Sequence, residues 1–336
     1  MKEAMLWNPL QDQTVLCSLC SHRCRIPSQQ YGFCSVRKNV GGKLYTYAYG
    51  KTVSEQVDPV EKKPLFHFLP ASTTFSVATI GCNFRCGFCQ NWNISQAEKG
   101  DIEGKWGRPA DPQEIVDRAL QAGCKSISFT YTEPTIFFEY TFDIARLAKE
   151  NGLKTIFVSN GYMTDEALDV ISPYLDACNI DLKSFRDDYY RKLCKARLEP
   201  VLDSLQKIVQ LGIWLEITTL VVTGENDSVE ELRNIASFIA DNLDSSVPWH
   251  VSRFFPQYEL TSLPPTPVST IEKAVRIGAE SGLRFIYAGN VGGDTDTLCP
   301  VCGETLVHRS GYRTDRLWIE SGRCRSCRTE IRGVWE

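Results

Sequence analysis

Thr74-Phe75-Ser76-Val77-Ala78-Thr79-Ile80 runs without a break into Gly81-Cys82-Asn83-Phe84-Arg85-Cys86-Gly87-Phe88-Cys89. The first seven residues read as a short buried strand, and a cysteine loop follows immediately. A four-iron cubane normally takes four thiolates. A compact C-x3-C-x2-C loop supplies three, and no nearby cysteine completes the set. The iron left without a side chain is then a Lewis-acid position, by the logic that separates catalytic from structural zinc sites. Gly81 and Gly87 let the backbone wrap closely. The competing reading is a zinc or ferredoxin-like site with a distant fourth ligand. It fits less well, because zinc sites usually pair their cysteines and ferredoxin runs are spaced differently.

Downstream of this loop the chain alternates short apolar strands with amphipathic helices. Strands are expected at Ser126 to Thr130, Thr155 to Ser159, Ala177 to Leu182, Trp214 to Val222, Trp249 to Phe255 and Phe285 to Tyr287. Helices are expected at Asp111 to Ala122, about Thr135 to Asn151, Asp165 to Leu175, Glu199 to Leu211, Ser228 to Asn242 and Thr270 to Ser281. Asp-Pro at the start of the first helix and Gly123 after its end are the expected cap asymmetry. This rhythm predicts an α/β fold, a parallel sheet wrapped by helices as a partial TIM-like (β/α) barrel. A doubly wound open sheet is the alternative, but no Gly-x-Gly-x-x-Gly follows the first strand.

The cysteines divide the chain. Residues 1–70 hold Cys17, Cys20, Cys24 and Cys34 and a lead-in rich in Gly and Tyr; 71–291 form the barrel; 292–336 hold Cys299, Cys302, Cys324 and Cys327. The last set, two C-x2-C pairs separated by 21 residues, is the pattern of a structural zinc ribbon. The first set leaves zinc or a second iron–sulfur cluster open. Cys124, Cys178 and Cys194 stand alone and read as small buried hydrophobes. The net charge of -4 indicates no general affinity for polyanions. Seven arginines between Arg309 and Arg332 read as an interaction face or a solubilising one. No signal core and no long apolar run is visible, so a cytoplasmic protein without membrane contact is expected. In that reducing setting the cysteines serve metals rather than disulfides.

The C-x3-C-x-aromatic-C loop, with Phe88 as its aromatic, resembles the radical S-adenosylmethionine (SAM) superfamily. Asp58-Pro59-Val60-Glu61-Lys62-Lys63-Pro64-Leu65, Cys89-Gln90-Asn91-Trp92 and Val247-Pro248-Trp249-His250 extend the resemblance to the radical SAM member of the AmmeMemoRadiSam system, a relative of pyruvate formate-lyase activating enzyme. The resemblance implies a [4Fe-4S] cluster on Cys82, Cys86 and Cys89 that cleaves SAM reductively. It also implies hydrogen abstraction from a substrate, either a protein or peptide residue (a glycine in the activating enzymes) or a small molecule. A flavodoxin or ferredoxin would supply the electron.

The same resemblance places Phe88, Glu133, Asn160, Asp181, Lys183 and His250 against SAM. Glu133 would take the amine, Asn160 the ribose side and Lys183 the carboxylate, and His250 would lie by the adenosine. Tyr131-Thr132 stands where the family often has Gly-Gly. Two other classes compete: an iron–sulfur electron-transfer protein, and a zinc-dependent nucleic-acid-binding protein, which the near-neutral charge disfavours.

Overall fold

The computed structural model describes residues 1–96, 98–100 and 107–336. Eight strands form its main sheet: β1 (Ser54–Pro59), β2 (Thr73–Ala78), β3 (Ser126–Phe129), β4 (Lys154–Ser159), β5 (Ala177–Asp181), β6 (Trp214–Val221), β7 (Trp249–Arg253) and β8 (Ile286–Gly289). They lie in strict sequence order, with β2 to β8 parallel and β1 antiparallel on β2. β1 and β8 are the two free edges, so the sheet is a partial barrel. Each parallel pair is joined by a helix: α1 (Pro112–Gln121), α2 (Phe138–Glu150), α3 (Asp165–Ile171), α4 (Glu199–Gln210), α5 (Val229–Phe238) and α6 (Val268–Glu280).

These elements follow from local chemistry. The Asp111 side chain accepts from Gln113 N–H while Glu114 reaches back to the Asp111 N–H, so the first orphan donors of α1 are satisfied at once. Ile115, Val116 and Ala119 then fall on its buried face. α4 buries Val201, Leu205 and Ile208 in the same way. The strands that these helices cover are largely buried on both faces; β4 accordingly carries the apolar run Ile-Phe-Val, whereas β3 alternates Ser with Ile and Phe.

β1 was not legible as a strand. Its sequence, Ser-Glu-Gln-Val-Asp-Pro, is polar and half exposed, as suits an edge. After it, residues 60–69 pass beneath the barrel. Phe66 and His67 offer their N–H groups to the two Glu216 oxygens at 2.9 and 2.8 Å, and Asn179 donates to the Pro64 carbonyl at 2.8 Å. The lead-in therefore plugs the floor of the barrel.

The C-terminal module, three antiparallel strands (Thr297–Leu298, Thr305–Ser310, Arg313–Leu317) and a short pair, docks on this plug. Arg309, first of the arginine run, is fully buried. It donates to the Phe66 carbonyl at 2.6 Å and to Thr297 Oγ1 at 2.8 Å. That arginine is a structural anchor rather than a surface charge.

His67 joins the same junction, with Nδ1 2.9 Å from the Arg332 carbonyl and Nε2 2.6 Å from the Tyr287 hydroxyl. A carbonyl only accepts, so Nδ1 carries the proton and Nε2 accepts. Burial pushes this imidazole down to about 4. The unfolded chain then takes up a proton that the folded one refuses as pH falls through the ordinary histidine range. Stability is therefore fully present above that range and declines below it. The expected loss between about pH 7 and about pH 5.5 is on the order of 1 kcal/mol. Denaturant unfolding at both pH values should show this slope in the wild type and a flatter one in His67→Gln.

Candidate active site

A cleft of about 350 Å³ opens at the C-terminal ends of the parallel strands, where such barrels carry their chemistry. Cys82, Cys86, Phe88 and Cys89 line it from the loop after β2, Glu133 from the end of β3, Asn160 from β4, and Asp181 and Lys183 from β5. Eight of the nine expected cluster and SAM residues thus converge on one space.

Three hydrogen bonds hold the cysteine loop in shape. Phe84 N–H donates to Cys82 Sγ at 3.3 Å, Ser95 Oγ lies 3.1 Å from Cys89 Sγ, and the Arg85 guanidinium donates to the Cys82 carbonyl at 2.7 Å. Burial, then the charge of Glu133, pushes the Cys82 thiol well up. Burial raises Cys89 as well. Without a cation, three thiolates could not coexist there. Metal binding must therefore drive off protons.

Glu133 is buried and both of its oxygens accept hydrogen bonds. Oε1 accepts from Thr135 N–H at 3.0 Å, Thr135 Oγ1 at 2.6 Å and Ser159 Oγ at 2.8 Å, and Oε2 accepts from Asn160 N–H at 2.9 Å. It binds the ends of β3 and β4 together. Asn160, so placed, donates through Nδ2 to Asn83 Oδ1 at 2.7 Å and lies 3.8 Å from Cys82 Sγ. Lys183 pairs with Asp181 at 2.8 Å. Burial opposes its charge, but Asp181 and the thiols of Cys86 and Cys194 outweigh that and push the ammonium up.

His250 departs from expectation. It is the register partner of Thr218, which does line the cleft, yet His250 itself is not among the lining residues. Nε2 donates to Glu216 at 2.7 Å, and Phe66 packs edge-on at 4.7 Å. Phe66 of the plug packs against it, and His250 lies behind the residues that line the cleft.

Several residues to which the sequence assigned no contact are also found here. Lys62, Lys63, Asn91, Tyr131 and Ser252 line the cleft. Asp58 organises three of them, accepting from Lys62 at 2.8 Å, Lys63 at 2.7 Å and the Tyr131 hydroxyl, and also from Ser76 at 2.7 Å. Cys194, expected to be a small buried hydrophobe, is fully buried beside Cys86, and its carbonyl accepts from Arg85 N–H at 2.9 Å. The Asp58 motif carried a signal; the isolated Cys194 carried none.

Outside the cleft, the Cys299, Cys302, Cys324 and Cys327 sulfurs all lie within 4.8 Å of one another, with Cys299 to Cys327 at 3.5 Å and Cys302 to Cys324 at 3.7 Å. Thr329 hydrogen bonds hold the Cys327 thiol down to about 6.

The buried Glu216–His250 pair gives a direct test of the His250 placement. Breaking such a pair typically costs about 3–5 kcal/mol. His250→Leu should lower the melting temperature clearly while leaving SAM affinity within about threefold, under 1 kcal/mol on the usual scale. A large loss of SAM affinity with an unchanged melting temperature would contradict the geometry.

The description of the Radical SAM superfamily matches residues 76–239. Over 335 residues the chain is 43% identical to an uncharacterized protein of Methanocaldococcus jannaschii, covering 98% of this chain and 99% of that one. It is 25% identical to the pyruvate formate-lyase-activating enzyme of Clostridium pasteurianum over 162 residues, 47% of this chain and 66% of the relative. In fold it is similar to a radical SAM methyltransferase from Sphaerobacter thermophilus (TM-score 0.52, 18% identity, 66% and 67% of the two chains). Streptococcus suis SuiB bound to S-adenosylmethionine is comparable (TM-score 0.51, 15% identity, 69% and 53%). Among the described residues no helix is long and apolar enough to cross a membrane. With its three-cysteine loop at the mouth of a partial barrel, the chain belongs to the radical SAM superfamily and is an enzyme related to pyruvate formate-lyase activating enzyme.

Proposed function

We propose that this enzyme holds a [4Fe-4S] cluster on Cys82, Cys86 and Cys89, cleaves SAM reductively, and takes a hydrogen atom from a protein or peptide residue. The observation that carries the reading is that three cysteines, and no fourth among the described lining residues, face the cleft. The surroundings fit such a cluster. Asn83 is fully buried and its Nδ2 has no partner, which leaves a donor for a cluster sulfide. When bound, the cluster supplies the electron that splits the sulfonium, and the resulting adenosyl radical removes the hydrogen.

The chain's own part is positioning. Lys183 offers a charge-assisted donor to the SAM carboxylate, and Asp181 fixes its head. Glu133 acts by setting the Asn160 backbone rather than by a free carboxylate oxygen. Phe88 walls the cleft 5.8 Å from the Lys183 ammonium. Similarity to a pyruvate formate-lyase-activating enzyme favours a protein substrate, with glycine as the first residue to try. A low-potential flavodoxin or ferredoxin would reduce the cluster in the cytoplasm. Cys299, Cys302, Cys324 and Cys327 suit a structural zinc, whose four thiolates leave no open position.

Anaerobic incubation of reconstituted protein with dithionite and SAM should release methionine and 5′-deoxyadenosine. Cys82→Ala should abolish both products. Cys194→Ala should keep the cluster and the cleavage, since Cys194 is not a cleft residue. Lys183→Met should weaken SAM by roughly ten- to a hundredfold, the usual range for a lost charged hydrogen bond. No 5′-deoxyadenosine from a preparation with an intact, reducible cluster would end this reading.

A further inference from the structure

The N-terminal and C-terminal modules each bring four cysteines together, but at different spacings. A single zinc with Zn–S of about 2.3 Å sets its four sulfurs about 3.8 Å apart. The C-terminal set meets that condition. Among the described residues it is the one group in which three or more Cys, His, Asp or Glu ligand atoms come within 4.8 Å of one another. Cys17, Cys20, Cys24 and Cys34 converge without closing that far, and Cys82, Cys86 and Cys89 share this wider spacing.

That the N-terminal four do converge is plain from their surroundings. Cys17 N–H donates to the Cys24 carbonyl at 3.0 Å. Cys24 Sγ lies 3.9 Å from where a Cβ on Gly32, two residues before Cys34, would stand. Cys17 and Cys34 are buried among Val15, Leu19, Ile26 and Val36, with the buried Arg37 guanidinium 3.5 Å from Cys17 Sγ. Four thiols that do not close to the spacing of one zinc, two of them buried and one beside a fixed cation, suit the outer corners of a cluster.

This set also abuts the active-site loop. A Cβ on Gly81 would stand 2.8 Å from Val36 and 3.1 Å from the Cys34 carbonyl, so only glycine lets the two cysteine loops touch. His22 Nε2 meets the Asn83 carbonyl at 2.7 Å. Arg85 spans the seam, donating to the Cys82 carbonyl at 2.7 Å and to the Phe33 carbonyl at 2.8 Å.

We propose that Cys17, Cys20, Cys24 and Cys34 ligate an iron–sulfur cluster that relays single electrons to the active-site cluster. An external low-potential donor loses one electron to the N-terminal centre, which is then reoxidised by reducing the centre on Cys82, Cys86 and Cys89. No bond is made or broken in either transfer. The metal assignment stands independently of the proposed activity, whereas the relay rests on it.

The test uses the full chain, reconstituted anaerobically with iron and sulfide. Cys82→Ala/Cys86→Ala/Cys89→Ala should still hold iron and sulfide in equal amounts, with a reducible cluster signal in electron paramagnetic resonance, and one zinc. Should that variant not fold, the wild type decides: iron beyond the four of one cubane supports the proposal. Four irons and a second zinc overturn it. Cys20→Ala/Cys24→Ala should keep the active-site cluster but be reduced by flavodoxin at least tenfold more slowly than wild type. Equal rates would overturn the relay. A wild type that holds both clusters yet cleaves no SAM would end the proposed activity and leave the metal assignment standing.

Discussion

One buried carboxylate holds the active end of this barrel together. Parallel strands diverge at their ends, and their last carbonyl and N–H groups find no partner in the sheet. Glu133 answers that need at β3 and β4. Four donors reach its two oxygens from Thr135, Ser159 and Asn160. Burial raises its pKa, while those donors counter the effect. Through Asn160 the constraint extends to Asn83 and so to the cysteine loop. A residue expected to touch the cofactor lines the cleft and also fixes the frame around it.

A second carboxylate does the same work one layer lower. Glu216 receives the Phe66 and His67 N–H groups, the His250 ring and the Trp214 indole at 3.1 Å. Burial raises its pKa, but the hydrogen bonds from His250 on the neighbouring strand and from the Phe66 N–H bring it down overall. The plug it fastens is also the landing site for Arg309 and the C-terminal module. Floor and flank are therefore one hydrogen-bonded unit, and the cleft above is left to the cysteine loop and the strand ends.

Most of the barrel could be read from the chain because its signals were local. Caps such as Asp111 with Glu114, glycines after helices and apolar strand runs place the elements to within a few residues. What could not be read was set by contacts far apart in sequence. β1 is polar and becomes a strand only by pairing with β2. His250 was sound in strand and face, but Phe66, folded back from the lead-in, decides its layer. Cys194 lies far along the chain from Cys86, and nothing in its surrounding sequence marks their meeting. Arg309 sits in a charge run that looked solvated and proved to be an anchor.

Tyr131 shows how a departure from the family pattern is accommodated. Its φ of 65° lies in the left-handed region, which glycine enters freely and a bulky residue does not. Such a conformation costs about 1–3 kcal/mol and persists only where the surroundings fix it. Here the Asn91 side chain donates to the Tyr131 carbonyl at 2.8 Å, and the phenol donates to Asp58. The backbone thus keeps the path that glycine would give, so the replacement changes the wall rather than the turn. That wall is now a ring with the Lys63 ammonium 4.4 Å from its centre, and Lys62 stands half-exposed at the rim. Burial pushes Lys63 down to about 8 against the pull of Asp58, so the ion pair stays charged at neutral pH. An aromatic face backed by two lysines, both paired with Asp58, therefore narrows this side of the cleft.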